Sequence, residues 1–454
     1  MDEKIIRNAR ITALTNMGAG VTTSSNGKKV FVNGAVDGDV CDVRITSVRS
    51  AFALGGILEL KSPSPYRIPS DCSAFADGCG GCTYRHVTYE HELKTKEKYV
   101  AALLRHAGAD VAMSPIRSAG EREPRTKVTV PIGKNGKIGY YKKSSHEPVP
   151  CGNCLLHSEL TRKLLAEIEV LLHSLPRTSF HHVCLRHATH GTMLILISSD
   201  VSDLESATRI FNELSVRFAE LTSGYFCLRA PSETYGSFVH IGGAEKIRDT
   251  LTGCEFMISP DAFYQVNHGS AEILYTLAAE YADVKDGESV ADLYCGTGTI
   301  GISVLKNSGA KAKLYGIEII GSAVRDAMEN AAANGVDAEF FEGDAASFDR
   351  TADVVIVDPP RAGCDEKLIA HLKKTRPLRI VYISCEPATL ARDLARLADT
   401  YTVTKATPVD MFPRTGHVET VVLLSRKDVH DSKSESESKE LICPPEKETA
   451  IIGD

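Results

Sequence analysis

The chain has 454 residues, a net charge of −7, and 43% hydrophobic and 24% charged residues, the balance of a folded protein of two or three domains. No run of 18 apolar residues occurs, which excludes a membrane-spanning helix, and Met1-Asp2-Glu3-Lys4 opens no apolar run of secretory type. A cytoplasmic protein is therefore the expectation, and there thirteen cysteines read as metal ligands or catalysts rather than disulfides.

Residues 1–61 read as five short strands, among them Ile11-Thr12-Ala13-Leu14, Lys29-Val30-Phe31-Val32 and Val40-Cys41-Asp42-Val43-Arg44-Ile45, with glycines 18, 20, 27, 34 and 38 in the turns. That pattern predicts a small OB-like barrel of a kind that often binds oligonucleotides. Residues 1–150 hold 22 Lys and Arg against 15 Asp and Glu, and the remainder 30 against 44, so a nucleic-acid footprint, if present, belongs to the front of the chain. A proline-rich hinge at 62–69 precedes a cysteine cluster at 72–82, and residues 90–107 read as a helix. Residues 120–280 are mixed strand and helix with few local signals. From 287 onward strands and helices alternate: Ser289–Leu293, Lys313–Ile317, Glu339–Phe341, Asp353–Val357 and Arg379–Ile383 are strands, and Ser322–Asn334 is one of the helices. Such alternation predicts a doubly wound parallel sheet; Tyr401–Lys405 and Glu419–Leu424 close it as two strands with no helix between. The predicted class is α/β: a barrel at 1–61, a central α+β domain at 62–280 whose helix 90–107 is placed to pack on the catalytic domain, a Rossmann-like domain at 281–427, and a disordered tail at 428–454 rich in Ser, Glu and Lys.

Asp292-Leu293-Tyr294-Cys295-Gly296-Thr297-Gly298 follows a strand and opens a helix, where glycines let a ligand approach the backbone. Gly296, Gly298 and Gly301 also fit the dinucleotide pattern G-x-G-x-x-G, so spacing alone leaves a nicotinamide open. Glu318 ends the next strand, where a carboxylate can take ribose hydroxyls. Gly343-Asp344-Ala345 follows the third strand and Asp358-Pro359-Pro360-Arg361 the fourth. An acidic strand end with D-P-P after the fourth strand resembles a class I methyltransferase. Ser384-Cys385-Glu386-Pro387 stands at the C-terminal end of the fifth strand, and His417-Val418-Glu419 precedes the last.

On these stretches, together with Phe263-Tyr264-Gln265-Val266-Asn267, residues 1–427 resemble the RNA uracil-5-methyltransferases, specifically their ribosomal-RNA branch. The resemblance implies S-adenosylmethionine as methyl donor, contacted by Gln265, Tyr294, Glu318 and Asp358, with Asp344 a weaker correspondence. It implies Cys385 as nucleophile and Glu419 as general base. The chemistry is coherent. Carbon 5 of uracil is a poor nucleophile, and a thiolate adding to carbon 6 turns the ring into an enolate that attacks the methyl group; a base must then take the proton from carbon 5 before the cysteine leaves. The expected substrate is a uridine of 23S ribosomal RNA and the expected state a monomer.

Cys72, Cys79 and Cys82 lie in C-x6-C-G-G-C, and Cys151 and Cys154 form a second C-x-x-C. Four thiolates suit zinc or an iron–sulfur cluster, and the residues alone leave both open. The resembled branch carries a 4Fe–4S cluster, which implies Cys72, Cys79, Cys82 and Cys154 as ligands; its N-terminal segment resembles a TRAM domain. Pro124-Arg125-Thr126-Lys127 matches the family's basic stretch except at Thr126, and Lys134, Lys137, Lys142 and Lys143 follow as candidate phosphate contacts. His181, His182, His187 and His190 read as packing or surface residues, and Cys295 as a packing residue. Three alternatives remain: an exocyclic-amine methyltransferase, against which Arg361 and Cys385 argue; a transfer-RNA enzyme of the same chemistry; and a non-catalytic iron–sulfur RNA-binding protein.

Overall fold

The computed structural model describes residues 5–175, 178–233 and 236–427; the tail expected to be disordered lies outside them. Residues 5–62 form one six-stranded sheet, where the glycine turns predicted five strands. Its spatial order is Ile5–Arg10, Val40–Val48, Phe52–Ser62, Lys29–Asn33, Ala19–Thr23, Ala13–Leu14. Register breaks at Ile45/Ser47 and Asp42/Val43 are bulges that bend the sheet. It curls until Thr22 Oγ1 donates to the Arg10 carbonyl at 2.9 Å, around a core of Ala9, Ile11, Val30, Val32, Cys41 and Val43.

The stretch that carried few sequence signals builds a five-stranded sheet, ordered Ser237–Gly243, Leu221–Leu228, Gly191–Ser198, Phe180–Ala188, Lys127–Pro131. Side chains alternate across it. Leu194 and Leu196 meet the helices Glu159–Ser174 and Leu204–Arg217 on one face, while Met193, Ile195 and Ile197 join the core of the C-terminal domain on the other. Gly191–Ser198 and Leu221–Leu228 at its centre are buried on both faces, so they carry continuous buried runs rather than alternation.

The C-terminal sheet has seven strands: β1 Ser289–Leu293, β2 Lys313–Glu318, β3 Ala338–Glu342, β4 Val354–Val357, β5 Arg379–Ser384, β6 Tyr401–Val409 and β7 Glu419–Arg426. Their order is β3-β2-β1-β4-β5-β7-β6, with only β7 antiparallel to its neighbours. One face packs on helices His268–Ala282, Thr299–Ser308 and Gly321–Asn334. The other packs on Glu366–Thr375, Pro387–Leu397 and Tyr89–His106, the last through Val100 and Leu104. Each of these two cores runs beneath the strand ends that carry the glycine turn, the D-P-P loop and Cys385, and so fixes their spacing.

Candidate active site

Tyr294 leaves β1 with φ 65°, followed by Gly296 at 55° and Gly298 at 77°. A left-handed non-glycine residue is held there only by its surroundings. Glu318 supplies part of the hold: its carboxylate accepts from the Gly296 amide at 3.1 Å and the Ile320 amide at 2.9 Å, tying the glycine turn to the end of β2. Gly301 has a packing task, because a Cβ there would meet Asp292 Oδ2 and Leu314 Cδ1 at 2.8 Å. The third glycine therefore lets helix Thr299–Ser308 seat on β1, and its presence says nothing for a dinucleotide.

Asp292 is fully buried on β1. Its Oδ2 accepts from the Gly301 amide at 2.9 Å, while Oδ1 has no partner; burial pushes its pKa up to about 7. Burial also pushes Asp358, the first residue past β4, up to about 7. Gln265 is buried on the loop before helix His268–Ala282, where Thr126 Oγ1 donates to its carbonyl at 3.3 Å. The Tyr275 hydroxyl, raised mainly by burial, senses Asp358, Asp292 and the Gln265 side chain together, which puts those groups around one space. Asp344 is exposed and caps the turn Ala345–Ser347 by accepting from the Ala346 amide at 2.9 Å; Tyr294 senses its charge.

The register of β5 against β7 pairs Ser384 with Thr420. One residue further out on each antiparallel strand brings Cys385 opposite Glu419, at the sheet edge where Asp358 leaves β4. Burial, Glu419 and Asp358 push the half-buried Cys385 thiol up to about 11, and Arg361 opposes them. Glu419 is 5% exposed, its Oε2 has no hydrogen-bond partner, and burial with the nearby Asp358 charge raises its pKa well above the carboxylate range, again opposed by Arg361. A buried carboxylate with an unpartnered oxygen facing a thiol is equipped to accept a proton. His417 is held below the ordinary imidazole range by burial and by Arg361, and its ring packs edge-on to Phe412 at 6.0 Å.

Cys72, Cys79, Cys82, Cys151 and Cys154 all line one small apolar cavity with Phe75, Arg85, Tyr140 and Leu156. Among the described residues, no three His, Cys, Asp or Glu side chains converge closely enough to hold a single metal ion. The thiols therefore share one cavity without meeting at a single-ion geometry, and the arrangement assigns neither zinc nor a cluster. The Cys79 sulfur accepts from the Gly81 amide at 3.4 Å. Arg85 is 3% exposed, has an unpartnered Nε, and sets its guanidinium beside Cys82, where its charge opposes the burial that raises that thiol. Cys151 instead turns its thiol to the Ile138 carbonyl at 3.9 Å and joins the central core.

Other candidates sort cleanly. Lys134, Lys137, Lys142 and Lys143 are exposed. Thr126 bonds the loop that carries Gln265, its amide donating to the Val266 carbonyl at 2.8 Å, so it is a structural joint. The histidines are hydrogen-bonded to one another, to threonines and to the Arg229 carbonyl. Cys295 is buried core. Two features escaped sequence reasoning as site residues. Asp292 is signalled by a charged residue inside an apolar strand. Arg361, the fourth residue of D-P-P-R, carries the positive charge that Cys385, Glu419 and His417 all sense.

This strand order, with glycine turn, acidic β2 end and D-P-P loop on one edge, defines a class I S-adenosylmethionine-dependent methyltransferase. Residues 343–427 match the tRNA (Uracil-5-)-methyltransferase family, and residues 257–374 the Methyltransferase small domain. The "Uncharacterized RNA methyltransferase" of Bacillus cereus is 35% identical over 444 residues, 91% of this chain and 95% of that protein. Its counterpart in Clostridium tetani is 34% identical, over 92% and 96%. Pyrococcus abyssi tRNA (uracil-54, C5)-methyltransferase, solved in complex with S-adenosyl-L-homocysteine, matches at TM-score 0.76 and 26% identity over 92% of this chain and 99% of that one. The chain belongs to the uracil-5 family of RNA methyltransferases. No helix among the described residues is long and apolar enough to cross a membrane.

Proposed function

We propose that this chain methylates carbon 5 of a uridine in RNA, with Cys385 as the covalent nucleophile and Glu419 as the base. The observation that carries the reading is that the β5–β7 pairing ends at Ser384 and Thr420, next to Cys385 and Glu419, and that the Cys385 thiol feels the charge of the buried Glu419, whose Oε2 is unpartnered. S-adenosylmethionine supplies an electrophilic methyl group, held by Gln265, Tyr294, Glu318, Asp358 and, more weakly, Asp344. Cys385 passes its proton to solvent and bonds carbon 6 as the thiolate, giving an enolate whose carbon 5 takes the methyl group; Glu419 then takes the carbon 5 proton, and the C–S bond breaks as the ring double bond returns and the thiolate leaves. Arg361 offsets the negative charge that builds when thiolate and carboxylates stand together.

Cys72, Cys79, Cys82 and Cys154 would hold a 4Fe–4S cluster, the amide of Gly81 and the guanidinium of Arg85 facing its negative charge. Residues 5–62 serve as a TRAM-like RNA platform. A 23S ribosomal RNA uridine is the favoured target, and a protomer acting alone in the cytoplasm the favoured state. Transfer RNA is the second reading: the likeness to a transfer-RNA uracil-54 enzyme covers 92% of this chain, which supports the same chemistry on that substrate. Mapping 5-methyluridine in both RNA pools of a deletion strain tests it. Loss of one or two ribosomal sites supports the first reading, loss of position 54 in transfer RNA supports the second, and no loss in either overturns the function.

A further inference from the structure

The loop 410–418 delivers Glu419 to the start of β7, and most of its anchors lie outside the catalytic domain. Arg414 stands at its centre, 3% exposed, with φ 65°, a left-handed conformation that an arginine keeps only under constraint. Its Nη1 donates to the carbonyls of Tyr84 at 3.1 Å and Val87 at 2.7 Å. Its own carbonyl accepts from the amides of Thr83 at 2.7 Å and Tyr84 at 3.3 Å. Its amide donates to Glu92 Oε1 at 2.7 Å, and its Nε donates to Glu121. Residues 83–87 follow directly on Cys82. Lys96, on helix Tyr89–His106, completes the clamp by donating to Asp410 Oδ1 at 2.7 Å and the Phe412 carbonyl at 3.2 Å.

The barrel reaches the same point. The Tyr84 hydroxyl donates to the carbonyls of Thr15 and Asn16, at 2.8 and 2.6 Å. A Cβ on Gly416 would meet the Asn16 carbonyl oxygen at 2.3 Å, so barrel turn and base-bearing loop touch backbone to backbone. Three parts of the chain therefore meet three to five residues before Glu419: the barrel turn at 15–18, the segment behind the cysteines, and the catalytic loop.

We propose that Arg414 is a positioning residue that makes the placement of Glu419 depend on the cysteine segment and the barrel turn. This rests on the reading of Glu419 as the base. It gives the cysteine module a task in a reaction that moves no electron: the module fixes the backbone onto which the loop is clamped. Because the clamp acts on the base and not on the methyl donor, its loss should strike the second half of the reaction.

The test uses full-length Arg414→Gln and, as a milder variant expected to fold, Tyr84→Phe, which removes the hydroxyl from the barrel turn. Three quantities are read: S-adenosylmethionine affinity, kcat and KM on an RNA substrate, and the lifetime of the covalent protein–RNA adduct on denaturing gels. A misplaced catalytic group costs up to roughly 100-fold. The expected result is donor affinity within about twofold of wild type, kcat reduced by about tenfold or more with KM little changed, and adduct persisting in both variants. If either variant folds and resolves the adduct at the wild-type rate, the proposal is overturned; should Arg414→Gln fail to fold, Tyr84→Phe decides alone. Glu419→Gln is run beside them. Should that variant turn over normally, the base assignment fails first, and the Arg414 result is then a measure of folding, with the proposal withdrawn.

Discussion

The buried setting of Cys385 has a measurable consequence before any RNA is bound. Its thiol is pushed up to about 11 by burial and by the charges of Glu419 and Asp358. At pH 7.5 an ordinary thiol is roughly 9% thiolate, whereas one at 11 is roughly 0.03%, so Cys385 should react with iodoacetamide roughly 300-fold more slowly than an exposed cysteine if thiolate fraction sets the rate. The assay is peptide-resolved mass spectrometry of alkylation against pH, which separates Cys385 from the other half-buried cysteines 72, 82 and 154. Its rate should rise about tenfold per pH unit to beyond pH 10. Glu419→Gln removes a carboxyl whose charge raises the thiol and should speed alkylation at the pH values where Glu419 is ionised; Arg361→Ala removes the opposing positive charge and should slow it. A Cys385 apparent pKa below 8 would refute the argument that the free enzyme stores its nucleophile as the thiol.

The remaining predictions concern the base, the cysteines and the buried ion network. Glu419→Gln should still complete one methyl transfer per enzyme but leave RNA attached, because general-base steps are worth about 100- to 10,000-fold; quantitative release of product RNA would be the contrary outcome. Anaerobically purified protein should be brown, and Cys154→Ala should bleach it while Cys151→Ala should not; a colourless protein holding one zinc ion removes the cluster. Lys96→Met leaves Glu92 and Asp410 buried without their shared cation, so urea unfolding should show a loss of about 3–5 kcal/mol, and a change under 1 kcal/mol would show that the network relaxes or is hydrated.

Much of the catalytic domain was legible because alternating strands and helices carry their own punctuation. The β1 strand at Ser289–Leu293 falls where the sequence predicted it, and the helix predicted at Ser322–Asn334 begins one residue earlier, at Gly321. The β6–β7 pair was expected too short, because Ala406–Val409 is buried by packing that no local pattern announces. The central sheet was opaque for a related reason: Met193–Ile197 is covered on both faces, which removes the alternation that marks a strand. At the site, the family resemblance rather than strand-end position named Cys385 and Glu419, and no local pattern announced that the strand ends beside them pair. The Glu92–Lys96 pair has the i,i+4 spacing common on solvated helix faces, and only the fold buries it against Asp410 and Arg414.

The donor pocket offers a further electrostatic test. Asp292 and Asp358 are both pushed up to about 7 from the ordinary 3.8, chiefly by burial. A carboxyl raised in this way binds a proton in the folded protein that the unfolded chain has already released. Its stabilising contribution is complete below pH 3.8 and is lost as pH rises through about 7. The ligand-free protein should therefore become less stable as pH rises from 3.8 to about 7. S-adenosylmethionine brings a sulfonium charge into the same space, which favours the ionised carboxylates and expels protons as it binds. Its affinity should then rise with pH across the neutral range, by up to about tenfold per unit for each proton released. S-adenosylhomocysteine has the same adenosine and amino-acid groups but an uncharged sulfur, and should show a shallower dependence. Calorimetry in buffers of different ionisation enthalpy counts the protons directly. Equal proton release by the two ligands would mean that these carboxyls do not face the sulfur, and would return Asp358 to a role in shaping the loop.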